Sequence, residues 1–207
     1  MWNHNSHFHN YLLCQLPDKI NHVLDVGCGL GTFALKLSEG SEFVDALDVD
    51  AETLKEASRQ HDAHNVSYQH TDFLKADLPQ NSYDVIVSIA SLHHMDLEAA
   101  LYKMKVLLRT SGKLLILGLY RETTVIDYMY SFISVPLNFF YLVWHHESTT
   151  TPQKISPTRP AQLSLEQIKT VSNRVIPGFR LQRHLFWRYS LVWQKRYVSF
   201  ELSAEIC

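Results

Sequence analysis

The stretch VLDVGCGLGTF, residues 23–33, concentrates residue types that could cradle a ligand. Asp25 precedes Gly27, Gly29 and Gly31, which are spaced G-x-G-x-G, with Cys28 inside the turn. Glycines let a backbone turn sharply and approach a ligand closely. A dinucleotide turn reads G-x-G-x-x-G and seats a pyrophosphate on the helix that follows. Here the third glycine comes one residue early, and Thr32 stands at the dinucleotide position. The Asp25 carboxylate would repel a pyrophosphate but suits an ammonium group. No G-x-x-x-x-G-K-S/T occurs, so a P-loop is excluded.

The elements that must position these residues follow from the changes in apolar period. HVLDVGC reads as a buried strand and LGTFALKLSEG as a helix closed by Gly40. EFVDALDVD is a second strand, and Asp50 is the expected N-cap of AETLKEASRQH. NVSYQHTD and YDVIVSIAS read as the third and fourth strands. DLEAALYKMKVLLRTSG reads as a helix ending at Gly112, and KLLILGLY as a fifth strand. This order predicts a doubly wound, mostly parallel α/β sheet. After Tyr120 come an apolar stretch, a polar Thr/Pro-rich loop and SLEQIKTVSNRV, a helix opened by a Ser164–Gln167 capping box. FRLQRHLFWRYSLVWQKRYV then reads as two antiparallel strands joined near Trp187 and Arg188.

In an open α/β sheet, ligands bind beyond the carboxyl ends of the strands. The second strand ends at Asp48, which can accept both ribose hydroxyls, with Val49 beside it. The third ends at Asp72 and Phe73, an acceptor for an exocyclic amine and an apolar edge for a purine. The fourth ends at Ser88, near the ligand's other end. An ammonium, a ribose diol and an aminopurine without phosphate together describe S-adenosylmethionine.

LDVGCGLG, ALDVD, HTDF and YDVIVSIASLHHM stand in an order and spacing that resembles a class I S-adenosylmethionine-dependent methyltransferase of the small-molecule type. The resemblance covers residues 20–120, and the hairpin over residues 179–196 fits the antiparallel pair that ends that fold. It implies a seven-stranded Rossmann-like sheet with an antiparallel C-terminal strand and a helical insertion after strand 5. It also implies that Gly27, Gly29 and Gly31 pass under methionine and ribose, with Cys28 between them as a small packing residue. Asp25 would face the amino group, Asp48 and Val49 the ribose side, Asp72 and Phe73 the adenine, and Ser88 the methionine. His93 and His94 follow the fourth strand in the loop that faces the methyl in the family; either could act as base or substrate ligand. The segment before the first strand would fold over the cofactor as a helix, with His7 and Tyr11 closing the methionine end.

One domain is expected over residues 1–207: an N-terminal helical cap (1–18), a cofactor core (20–120), an apolar lid with a connecting helix (121–178) and a C-terminal hairpin (179–197). His4, His7 and His9 do not share the i, i+4 spacing of a metal pair, so no metal is expected. Net charge −2 gives no footprint for nucleic acid. Cys14, Cys28 and Cys207 form no disulfide framework, which points to a reducing, cytoplasmic setting. The stretch 125–144 has nearly the length of a membrane span, but Asp127, Pro136 and Asn138 interrupt it, so no membrane contact is expected. Its Tyr128, Tyr130, Phe132, Phe139 and Trp144 instead suggest a lid over an aromatic or lipid-like small-molecule acceptor. His145 and His146 close that stretch as helix C-terminal cations. The expected activity is therefore methyl transfer to a small acceptor by a monomer or homodimer. The alternative is a non-catalytic module that only binds the cofactor.

Overall fold

A computed structural model of the chain describes residues 6–61, 63–124, 127, 129 and 160–196. Its frame is one seven-stranded sheet in the order β3-β2-β1-β4-β5-β7-β6. The strands are β1 (His22–Val26), β2 (Phe43–Asp48), β3 (Val66–His70), β4 (Tyr83–Ile89), β5 (Leu108–Leu119), β6 (Arg180–Arg183) and β7 (Arg188–Gln194). β1 through β5 pair in parallel, whereas β7 runs antiparallel to both β5 and β6. The order reverses at β1, which lies between β2 and β4, so a crevice opens above its carboxyl end.

Both faces of the sheet are buried, as continuous runs such as VIVSI demand. On one face, α1 (His9–Leu13) and α2 (Thr32–Ser38) place Phe8, Leu12, Phe33 and Leu37 against Val23, Val85, Val87 and Leu117. On the other, α4 (Leu97–Leu107) and α5 (Leu165–Val175) place Leu101, Met104 and Ile168 against Leu24, Ile86 and Ile116. α3 (Ala51–Gln60) joins β2 to β3, and its N-cap Asp50 accepts from the Glu52 amide as expected. Ser164 and Gln167 form the complete capping box of α5.

The fourth helix departs from the sequence reading. It ends at Leu107, not at Gly112, and Gly112 lies inside β5. Ser111 takes a left-handed φ of 66°, and the β4–β5 register slips between the Tyr83 and Val85 pairings. Apolar periodicity cannot separate a last helical turn from the first residues of a buried strand, whereas a bulge can absorb the extra residues. The hairpin turns over residues 184–187, with Phe186 and Trp187 both left-handed. Among the described residues no helix is long and apolar enough to cross a membrane. Tyr128, Tyr130, Phe132, Phe139, Trp144, His145, His146 and His4 lie outside the described residues.

Candidate active site

The glycine turn bridges β1 and α2. Backbone amides of Gly27 and Cys28 both donate to the Leu47 carbonyl, at 2.8 and 3.0 Å, tying the turn to β2. Gly27 has φ +74°, and a Cβ there would lie 2.3 Å from Cβ of Ser91. Gly31, at φ +72°, would place a Cβ 2.5 Å from the Tyr68 hydroxyl. Around Gly29 a Cβ would meet nothing within 4 Å, so this part of the turn faces open space. The turn is thus held from below by Ser91 and Tyr68 and open above Gly29.

Ser88 belongs to that support. It is fully buried, donates to the Val26 carbonyl at 3.1 Å and meets Ser91 Oγ at 2.5 Å. Its hydroxyl is engaged in the β1–β4 seam, so nearness to a methionine moiety is expected of this position through its place at the end of β4. The Phe73 ring is 2% exposed in the core against α4, with the Lys103 ammonium 5.3 Å above it.

Three carboxylates surround the open side. Asp48 accepts from the Gly29 amide at 2.8 Å and the Asp50 amide at 2.9 Å, one per oxygen. A carboxylate has about four lone-pair sites, so a diol could still be accepted. Val49, next in the chain, is 65% exposed and could lie against a flat ring. Asp72 accepts the Leu74 amide at 3.0 Å and keeps much of its surface open. Asp25 is only 2% exposed, and no described residue donates a hydrogen bond to its carboxyl. Burial, and then the charge of Asp48, push its pKa up to about 7. A buried carboxyl without a donor is costly, and an ammonium arriving from outside would relieve it. The Cys28 thiol is pushed up by burial and by both acids, so it stays a protonated packing group.

The N-terminal segment is a 3-10 turn (Ser6–Phe8) running into α1, packed on the same face of the sheet as α2. His9 is the inward histidine. It is buried, its ring lies 4.7 Å from that of Phe33, and its Nδ1 has no partner among the described residues. Burial, and then Lys36, lower its pKa to about 4. His7 is exposed and touches the rings of Phe8 and Phe186. Tyr11 turns to the hairpin, its hydroxyl 3.1 Å from Ser190 Oγ and 3.4 Å from Gln182 Oε1. The described contacts of His7 and Tyr11 are thus with the hairpin turn and strands.

Across the crevice, His93 and His94 form a 3-10 turn after β4, their rings 3.9 Å apart. The His93 Nδ1 is buried without a partner among the described residues. Burial, then His94 and Arg188, lower its pKa to about 4. Arg188 opens β7 opposite Leu119 and is 8% exposed. Arg183 forms an ion pair at 2.9 Å with the buried Asp127 and lies over the Tyr120 ring. Asp127 also accepts the amides of Thr123 and Thr124. Neither arginine, nor His9, Tyr68 or Ser91, was marked by a motif. The arginines lie about 150 residues beyond the glycine turn, and the sheet order puts them at the same end of the sheet.

A separate hollow of about 330 Å³, lined in part by His22, Phe43, Asp45 and His64, lies at the starts of β1 and β2, the opposite end of the sheet. Its Asp45 is already engaged by His22, Tyr83 and Gln69. No group of three or more metal-ligating side chains occurs among the described residues.

A glycine turn flanked by acids, on a sheet of this order, defines a class of protein, and comparison with known proteins agrees. Residues 23–112 match the family described as methyltransferase domain. These residues are thus similar to methyltransferase domains, and the sheet around them has a Rossmann-like fold. Over 197 residues the chain is 28% identical to an uncharacterized methyltransferase of Mycobacterium tuberculosis, covering 93% of this chain and 96% of that protein. Its fold is similar to that of a Listeria monocytogenes protein held to be an S-adenosylmethionine-dependent methyltransferase, with a TM-score of 0.65 at 17% identity over 91% of this chain and 96% of that one. A methyltransferase of the same cofactor class from Aquifex aeolicus gives a TM-score of 0.61 at 18% identity, covering 90% and 88% of the two chains.

Proposed function

We propose that this methyltransferase acts on a small, largely apolar or aromatic acceptor, by in-line displacement in the crevice between the glycine turn and the His93 loop. The observation that carries the placement is Asp25: a buried carboxyl with no donor among the described residues, beside Asp48, at the turn that is open above Gly29. Bound there, S-adenosylmethionine supplies a methyl group on a positively charged sulfur that leaves as a neutral thioether. Asp25 then gains a cationic partner, Asp48 binds the ribose diol, and Asp72 and Val49 border the adenine. Gly27, Gly29 and Gly31 keep the backbone close beneath. The protein's remaining work is alignment and the exclusion of water. α1 supplies the cover, with His7 and Tyr11 on its hairpin side.

His93 is neutral near pH 7, because its pKa lies at about 4. A base that weak orients an acceptor better than it strips a proton from a neutral alcohol. His93 therefore serves as a hydrogen-bonding partner of the acceptor, with His94 stacked behind it. The aromatic content of residues 125–144 supports an apolar acceptor. The four parts of the chain, cap, core, lid and hairpin, work as one domain, as a monomer or homodimer without nucleic acid. Cys14 and Cys28 are free thiols, which favours a reducing, cytoplasmic setting.

Calorimetry with S-adenosylhomocysteine tests the placement: the wild type binds, and Asp25→Asn loses at least about tenfold in affinity. A radiolabelled methyl-transfer screen of apolar and polar acceptors tests the substrate class. Turnover confined to polar amines would sink it.

A further inference from the structure

We propose that Lys103, in the middle of α4, is a positioning residue for the purine end of the cofactor: it clasps the turn after β3 so that Asp72 is presented to a 6-amino group. This rests on the reading above that Asp72 borders the adenine. Residues 72–76 form a closed turn. The Asp72 carbonyl accepts the amides of Lys75 at 3.0 Å and Ala76 at 2.9 Å, and its Oδ1 accepts the Leu74 amide at 3.0 Å. The carboxylate stays open, with 40% of the side chain exposed. Such a turn fixes its own shape but not its place on the protein.

Two groups set that place, and both belong to the contact with α4. The Phe73 ring is buried in the core cluster that contains Leu101 and Met104. Over that ring, Lys103 Nζ donates to the Leu74 carbonyl at 3.2 Å and to the Ala76 carbonyl. A lysine on a helix surface ordinarily keeps its ammonium in water. This one gives two of its three donors to backbone carbonyls of the turn. Burial lowers its pKa, and the charges of Asp72 and Asp77 act against that shift, so the ammonium lies in the field of the carboxylate it positions. Lys75 offers the contrast. Its Nζ is 3.5 Å from Asp72 Oδ2, but the side chain is 85% exposed, and exposed pairs of this kind contribute little. A carboxylate selects an amine only within hydrogen-bond reach, about 2.7–3.2 Å. A displaced turn therefore loses the selection for the 6-amino group while the flat face of the purine can still be bound.

The test uses the full-length protein and calorimetric titration with S-adenosylhomocysteine and with its 6-desamino analogue, in which hydrogen replaces the exocyclic amine. The wild type is expected to bind the amino compound about tenfold or more tighter. Lys103→Met should shrink that ratio to about threefold or less. Lys103→Arg, which keeps a cation and several donors, should hold it nearer the wild-type value. A loss of fold stability alone would weaken both ligands alike and leave the ratio unchanged. Lys75→Met is the control for charge, and its ratio should stay within about twofold of the wild type. A ratio that survives Lys103→Met, or one that falls as far in Lys75→Met, overturns the proposal. If Lys103→Met does not fold, Lys103→Gln, which lacks both the reach and the charge, is judged by the same ratio. A wild type that binds S-adenosylhomocysteine without discriminating against the analogue removes the assignment of Asp72 to the adenine and this inference with it; failure of S-adenosylhomocysteine to bind removes the proposed placement of the cofactor as well.

Discussion

On the β1–β2 side of the crevice, the groups facing the opening are backbone and short acids. On the β4–β5–β7 side they are long cationic and imidazole side chains. The first side is fixed by main-chain bonds: Gly27 and Cys28 to Leu47, and Gly29 to Asp48. The second is set by side chains that reach across strands, such as Arg183 to Asp127 and His184 to Ser190. A backbone cradle can present one shape only, so it suits a ligand that never changes. Side chains on a fixed frame can be exchanged without disturbing the sheet, so they suit the part of the reaction that differs between enzymes. The electrostatics divide in the same way. Burial and Asp48 push Asp25 up to about 7, whereas burial and neighbouring cations push His93 down to about 4. Near neutral pH one side is ready to accept a cation and the other carries its charge on arginine.

The largest effect should come from breaking the cradle. Gly27→Ala forces a Cβ to within 2.3 Å of Ser91 Cβ, at φ +74°, and Ser91 is held by a 2.7 Å bond to the Val26 carbonyl. Left-handed strain and overpacking together should cost about 4 kcal/mol, and S-adenosylhomocysteine binding should be lost. Gly29→Ala is the internal control, because its Cβ would meet nothing within 4 Å. It should lose only about 1–2 kcal/mol of stability, the backbone strain alone. Urea melts of the two variants check this; equal losses would show that Ser91 yields and that the support under the turn is soft.

Asp25→Asn sharpens the contrast by removing charge without changing shape. The carboxyl has a folded pKa of about 7 against an ordinary 3.8. A raised acid stabilises the fold fully below pH 3.8, and that contribution is lost as pH rises through 7. The ligand-free variant should therefore be the more stable protein at pH 8, by up to about 4 kcal/mol, and should lose that advantage at pH 4. It should also bind S-adenosylhomocysteine worse. Thermal melts at both pH values, with and without ligand, test the trade; an unchanged melting temperature at pH 8 would mean that Asp25 is not held ionised at a cost.

His9 titrates with the opposite sign. Its folded pKa of about 4 lies below the ordinary 6.5, so the unfolded chain takes up protons first and stability falls as pH drops from 6.5 to 4. The full limb amounts to about 3 kcal/mol. His9→Phe, packed on Phe33, should remove its share of this acid limb and leave that of His93, which titrates with the same sign. Denaturation midpoints between pH 4 and 7 check it; an unaltered slope would place the acid sensitivity elsewhere, with His93 the next candidate.

The division between the two sides also explains what could be read from the chain alone. Asp25, Gly27, Gly29, Gly31 and Asp48 lie in one βαβ unit, so the roles proposed for them follow from spacing and strand ends. Spacing places Ser88 in the fourth strand and Phe73 just beyond the third, but it does not give their side-chain directions, and both lie in the interior. Helical spacing puts His9 on one face with Leu12, and both are buried; a 3-10 turn over Ser6–Phe8 precedes α1. Arg183 and Arg188 carried no local signal, since their meaning depends on β7 inserting between β5 and β6.

The smallest expected effect concerns the join between the two sides. Tyr11, on the segment proposed as the cofactor's cover, meets Ser190 Oγ at 3.1 Å and Gln182 Oε1 at 3.4 Å. Ser190 Oγ in turn lies 2.8 Å from His184 Nε2. This chain of polar contacts fastens the cover to the hairpin that carries Arg188. Tyr11→Phe keeps the ring and removes only the hydroxyl, so the loss should be about 0.5–1 kcal/mol, as for one partly exposed hydrogen bond. The effect should appear mainly as a faster release of S-adenosylhomocysteine, by a few-fold, because a looser cover raises the off-rate. Ser190→Ala should do the same, and the double variant should lose less than the two single losses added, since the Tyr11–Ser190 contact is shared while those to Gln182 and His184 are not. Stopped-flow release rates for the three variants decide the matter: additive effects would mean that Tyr11 and Ser190 act separately, and that the cover is held to the cradle alone.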